Sequence, residues 1–370
     1  MQKVVLKYSV VCSAVLFWVS TLQSDDKISL RTNIFNDNSG TSVHSPTVEI
    51  VKDILLNSLL SVRYSLDRVL IPPVRGLSAT PSPVDGVTGA SRPISQDQPG
   101  NQSFVKERNE IIVGLTAPGF DLSYYFSKEN DYVGQMATLA ANFDFNQKNS
   151  NLSLSYGYGW DRIEPLGADT LHTKSTHHFN LTVTQVLNKK VIARVGADLS
   201  LVSGFQSNPY RSVFAEGQHR LEIHPVNRKR AAVYLKVNRY FKTRTSLNMG
   251  YRFYRDNWQI QSHTVDIFYH QYFSEIVLIR YRYRYYVQSA AYFYRSAYTV
   301  SQAFMTSDYK LEPFTSHLFG LKLEYRLQDL VQNSLLNFLA KATFDAKYER
   351  YFSSNEFTAD VYQIGLVFNY

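Results

Sequence analysis

The sequence predicts an all-β fold, a transmembrane antiparallel β-barrel of about sixteen strands, with fourteen as the alternative count. Three observations lead there: a stretch with arginines on one face and aromatics on the other, period-2 alternation along most of the chain, and a final segment ending in an aromatic residue.

In the first, Glu275 to Gln288, Arg280, Arg282 and Arg284 alternate with Ile279, Tyr281, Tyr283 and Tyr285. Successive strand side chains point to opposite faces, so the guanidiniums share one face and the apolar stripe Val277 to Val287 forms the other. An arginine facing lipid near the midplane costs about 2 to 4 kcal/mol, and three in a row oblige that face to point inward.

Composition narrows the alternatives. Of 370 residues, 44% are hydrophobic and 14% aromatic, yet no internal apolar run is long enough to span as a helix, so any crossing is made by strands. The single cysteine, Cys12, leaves no thiol downstream for a zinc cluster or a nucleophile. The net charge of +8 suits an anion-attracting lumen and contact with acidic surface glycolipid. No aromatic-interleaved basic site can be separated from girdle residues, so nucleic acid is not an expected partner.

In chain order, residues 1–24 read as an export signal: Lys3 and Lys7 precede an apolar run from Val10 to Val19, too short for an ordinary membrane helix. Residues 25–370 read as one barrel domain. Strands are expected at Ser29 to Asn36, weakly at Thr47 to Ile54, and at Ser58 to Val69. The clearest later alternation runs from Leu152 to Trp160 against serines, glycines and Asp161, with similar patterns from Val191, Leu247, Phe319 and Ala342. Short turns, such as Ala117-Pro118-Gly119 and Lys242-Thr243-Arg244, alternate with long links near 70–106, 163–175, 203–230 and 289–314. That asymmetry is expected of an outer-membrane barrel with its long loops outside, and an even strand number follows. Tyr362, Ile364, Leu366, Phe368 and Tyr370 place apolar or aromatic groups at every second position to the end, the expected closing strand and the signal by which barrel-assembly machinery would recognise the chain.

Several segments also carry a resemblance. Val87 to Ser91 (Val-Thr-Gly-Ala-Ser), Tyr124 to Tyr132 (Tyr-Tyr-Phe-Ser-Lys-Glu-Asn-Asp-Tyr), Val183 to Leu187, Ser207 to Tyr210 (Ser-Asn-Pro-Tyr), Tyr251 to Trp258 and Tyr283 to Tyr294 stand in one order. Together they resemble the bacterial family catalogued as domain of unknown function 3570, from about residue 60 onward. Its members are regarded as outer-membrane barrels without an established activity, so the resemblance implies location and architecture and supplies no catalytic residues. The chain departs from it at Leu70-Ile71-Pro72-Pro73, where a small-residue run is expected.

The expected function is a porin-like passive channel in the bacterial outer membrane, its basic wall of Arg252, Arg280, Arg282, Arg284, Lys322 and Arg326 favouring small anionic solutes. Asp266, Glu324 and Asp345 are the expected counter-charges, and a network satisfied by them is an equal reading of the same arginines. A scaffold barrel that binds another envelope component is the first alternative. A rim hydrolase or acyltransferase is the second, with His263, Asp256 and Ser262 as candidate groups around one outer turn. Glu129, Asp131 and Asp161 are the candidate oxygen ligands for calcium, although solvated carboxylates are the simpler expectation. No cofactor is expected, and the sequence does not set the oligomeric state.

Overall fold

The computed structural model describes residues 26–55, 57–71, 104–331 and 339–369. The export segment with Cys12, the Val87 to Ser91 motif, nearly all of the 70–106 link and Tyr370 fall outside these residues. The strands are β1 Lys27–Asp37, β2 Ser42–Leu55, β3 Ser58–Ile71, β4 Phe104–Ala117, β5 Phe120–Lys128, β6 Tyr132–Phe145, β7 Ser150–Ile163, β8 His172–Asn188 and β9 Val191–Gly204. A small hairpin follows, β10 Ser212–Ala215 and β11 Gln218–Leu221. The rest are β12 Asn227–Phe241, β13 Thr245–Asp256, β14 Gln261–Tyr272, β15 Val277–Gln288, β16 Phe314–Arg326, β17 Ala342–Ser353 and β18 Thr358–Asn369.

All except β10 and β11 form one closed antiparallel sheet, so the barrel has sixteen strands among the described residues and fourteen is set aside. Each strand pairs with its sequence neighbours, β9 with β12, and β1 with β18 from Lys27↔Asn369 to Asp37↔Ala359. Closure satisfies both edges, which a sheet in hydrocarbon requires. The weak second strand is β2, longer than its alternation suggested. Pro46 lies inside it, and the ladder to β3 stops at His44 and resumes at Thr47, which blurs the period.

Short turns close one end. Between β4 and β5, Pro118 presets one central residue and Gly119 takes φ 87°, a conformation only glycine adopts without strain. At the other end the 203–230 link contracts to 205–226, because β12 begins at Asn227, and the link after Ile163 contracts to 164–171.

The outward face is apolar: Leu139, Val195 and Ile364 are each more than half exposed, and such residues recur around the wall as a lipid-facing band. From mid-strand, outward phenols donate or share hydrogen bonds with polar side chains that lie nearer the long-loop end of the next strand: Tyr156 with His177 at 2.9 Å, Tyr251 with His263 at 2.7 Å, Tyr283 with His317 at 3.0 Å, Tyr64 with Asn109 at 2.8 Å and Tyr124 with Gln135 at 2.7 Å. Rings that bury an apolar body and satisfy a polar tip mark the lipid–water boundary.

Buried apolar clusters lie chiefly in the outer loops, since the barrel interior is polar. Trp258, Ile260, Ala291, Phe293 and Leu311 form one, and Val213, Ala215, Tyr298 and Met305 another. Bridges Ala215↔Tyr298 and Ile223↔Met305 lock loops 205–226 and 289–313 together as a cap. Buried Glu222 accepts the Thr306 hydroxyl at 2.8 Å and the Asn208 N–H at 2.8 Å inside it. Tyr210 ties the cap to the β5–β6 turn through Asp131 at 2.6 Å.

Candidate functional site

Alternation places Arg252, Arg280, Arg282, Arg284, Lys322, Arg326, Asp266, Glu324 and Asp345 on the inward face, opposite the lipid-facing Tyr281, Phe319 and Leu321. The wall divides into two charge regimes.

On β14 to β18 and β1 every inward carboxylate is paired, while Arg280 and Arg326 have no ion pair among the described residues. Asp266 accepts from Arg284 Nε at 2.8 Å and from Arg282 Nε at 3.3 Å, while Arg282 Nη1 reaches Glu349 at 2.8 Å and Lys347 approaches that carboxylate at 3.2 Å. Lys322 pairs with Glu324 at 2.7 Å and with Asp345 at 3.0 Å, and Arg31 adds a contact to Asp345 at 3.4 Å. Gly365 makes room for this group: a Cβ there would sit 2.0 Å from the Asp345 carboxylate. Arg280 differs from its neighbours in lying over the Phe268 ring, 5.5 Å from its centre, with no ion pair among the described residues.

On β9, β12 and β13 cations outnumber partners. Arg194 donates to the Thr184 hydroxyl at 3.1 Å, and Lys236 lies 5.6 Å from the Tyr234 ring centre. Arg252 approaches Asp198 only to 3.7 Å. Arg230 has no ion pair among the described residues, and its Nε is buried with no hydrogen-bond partner. Arg228, by contrast, is held by Asp256 through Nε at 2.8 Å and stacks 3.9 Å over Trp258. Arg228 and Arg230 were hidden by the expected 203–230 loop. The signal that could have found them is Arg228, Arg230, Ala232, Tyr234 and Lys236 alternating with Ala231, Val233 and Leu235, broken only by Lys229.

The candidate catalytic group does not assemble. Ser262 and Asp256 are buried on the inward side, and Asp256 is engaged by Arg228 and by the Tyr254 hydroxyl at 2.8 Å. His263, one residue from Ser262, therefore points to the opposite, lipid-facing side and bonds Tyr251. Two-residue periodicity, invisible when the three are taken only as neighbours of one turn, separates base from hydroxyl.

The calcium candidates are likewise engaged by cations. Lys106 lies 2.5 Å from Glu129 and 2.9 Å from Asp131, and Asp161 pairs with Lys174 at 2.8 Å while accepting the Tyr132 hydroxyl at 2.6 Å. No cluster of three or more His, Cys, Asp or Glu with metal-holding geometry occurs among the described residues. Burial is the largest influence on Glu129 and holds its carboxyl above the ordinary range despite the Lys106 ammonium. Burial first, then the Asp131 carboxylate, pushes the Tyr210 phenol up.

In the closing strand, Tyr362 and Ile364 are exposed on the lipid face, with Leu366 and Phe368 in the same alternation. The Tyr348 and Tyr362 rings lie 5.2 Å apart.

The family described as "Protein of unknown function (DUF3570)" matches residues 23–175 and 167–359. The chain belongs to this family. As a DUF3570 member it has no curated relative that matches it. Among solved structures it is similar to OmpTdeltaL8, a loop-deletion mutant of an outer membrane protein of Vibrio cholerae, at 10% identity and TM-score 0.46, covering 93% of this chain and 98% of that one. It is similar also to OccD3 (OpdP) of Pseudomonas aeruginosa, at 9% identity and TM-score 0.46, covering 93% and 91% respectively. A BenF-like porin from Pseudomonas fluorescens Pf-5 matches at 10% identity and TM-score 0.45, covering 94% and 100%. The chemistry of this DUF3570 barrel is therefore read from its own residues.

Proposed function

We propose that this chain is a porin-like barrel of the bacterial outer membrane that passes small anionic solutes passively. One observation carries the reading: Arg194, Arg230, Lys236 and Arg252 share one stretch of inner wall, where Asp198 is the only carboxylate within ion-pair reach of any of them among the described residues. Unmatched cations facing water raise the local concentration of anions, as charged walls do in other pores. The lipid-facing band, the phenol girdle and the unequal loop lengths support the outer-membrane location, with the long-loop end outside. The closing strand supports assembly-machinery recognition, and the basic charge supports contact with surface glycolipid. Planar-bilayer recordings under a salt gradient test the reading. Discrete steps with a reversal potential on the anion side are expected, and folded protein that stays silent overturns it.

A scaffold role is the second reading, because the cap exposes Phe214, Leu221 and Val300, the last two about 60% exposed, beyond the barrel mouth. Protection of the cap from protease by an envelope partner, in protein that does not conduct, is the result that favours it.

A further inference from the structure

Between the cap and the β8–β15 wall lies a cavity of about 480 Å³, the volume of a metabolite-sized solute. Its lining carries several cations, most of them already balanced. Lys174 is held by Asp161 and Arg228 by Asp256, Lys310 lies over the Tyr309 ring, and the lining carboxylate, Asp308, is answered by Arg211. Arg230 and Arg252 remain, the first with a buried Nε that no acceptor reaches, the second with Asp198 only at 3.7 Å. The Thr176 and Ser262 hydroxyls line the same space.

A buried guanidinium N–H without an acceptor costs free energy, and an anionic oxygen placed beside it recovers that cost. Arg252, partly exposed and approached by Asp198 only at 3.7 Å, adds a second positive charge to the same cavity, so the pair matches two negative charges better than one. The geometry points to this cavity as a binding site for a small dianionic oxyacid, a phosphomonoester or a dicarboxylate, held by Arg230 and Arg252 on its way through the barrel. The inference deepens the channel reading and rests on it for the solute's passage, whereas binding itself requires no conductance.

The test uses the purified full-length protein in detergent, titrated calorimetrically with glucose 6-phosphate and with succinate, with glucose and acetate as neutral and monoanionic controls. Trp258 fluorescence gives a second readout at the cavity wall. At least one dianion is expected to bind saturably about tenfold more tightly than acetate, and Arg230→Gln or Arg252→Gln is expected to remove about tenfold of that affinity. Arg239→Gln, which removes the same charge from the outer face, is expected to leave it unchanged. The tighter of the two dianions identifies the oxyacid. Acetate binding as tightly as both dianions, or Arg230→Gln binding as wild type while its strand signature by circular dichroism is intact, overturns the inference. Anion-selective conductance without saturable dianion binding defeats this inference alone. Dianion binding in a barrel that does not conduct defeats the channel reading and leaves the site.

Discussion

Two stretches of the same inner wall use arginine in opposite ways. Around Asp266, Asp345 and Glu349 every carboxylate answers two or more cations, and Asp345 is only 2% exposed. Around Arg230 and Arg252 the cations outnumber the acceptors, and the wall also faces a cavity. Matched charge ties strands together, and unmatched charge projects a field into water. A count of basic residues along the lumen cannot separate these roles, since two of the three arginines of β15, most conspicuous in the sequence, are consumed by pairing while Arg280 is not.

The sharpest way to break this contrast is to remove the shared carboxylate. Asp345→Asn leaves Arg31 and Lys322 facing each other in a site with little water, and the barrel is expected to lose about 3 kcal/mol of unfolding free energy in a urea titration. A loss of only a few tenths would mean that the network is not structural. Selectivity comes next. A unit charge acting at about 8 Å with effective permittivity near 20 amounts to roughly 2 kcal/mol, which screening over a comparable Debye length reduces to about 0.8 kcal/mol. Arg230→Gln is accordingly expected to lower the anion-to-cation permeability ratio about fourfold with little change in stability. The charge-conserving double change Asp266→Asn with Arg284→Gln is expected to leave the reversal potential in place; a shift as large as that of Arg230→Gln would erase the distinction.

Smaller effects sharpen the frame outside the lumen. His263→Ala removes the Tyr251 hydrogen bond from the lipid face and is expected to cost about 0.5 kcal/mol without altering conductance. At the β5–β6 turn, Glu129 titrates above its ordinary value because it is buried, so its contribution to stability is complete below the ordinary carboxylate range and is lost as pH rises through the elevated one. Glu129→Gln is thus expected to raise the melting midpoint slightly at pH 7.5 and to match wild type at pH 4. A gain at acid pH alone would reverse the sign and refute the assignment.

Much of the fold was legible because strand alternation is a local property. Leu152 to Trp160 declares two faces within nine residues, and the pattern Val277 to Val287 fixes which side of β15 meets lipid. Where a proline interrupts the pattern, as in β2, or a lysine does, as at Lys229, the strand extends beyond its visible alternation, and Arg228 and Arg230 lie in that extension of β12. The candidate catalytic group comes apart for a related reason. Proximity in sequence placed His263 beside Ser262, while the pleat turned them to opposite faces.

The sequence by itself determined that this chain crosses a membrane with strands and that the arginines point inward, because both follow from two-residue periodicity and the cost of charge in lipid, and the alternation of short turns with long links made the strand number even. Only the tertiary structure decided which cations are neutralised. Arg31 meets Asp345 across 314 positions of chain and Arg282 meets Glu349 across 67, contacts fixed by strand register and barrel closure. It also decided that two long loops fold into a cap with a core of their own, leaving Arg230 and Arg252 on a cavity beneath it. Register is a global quantity, set by how all the strands fit around one circumference, and no local pattern contains it.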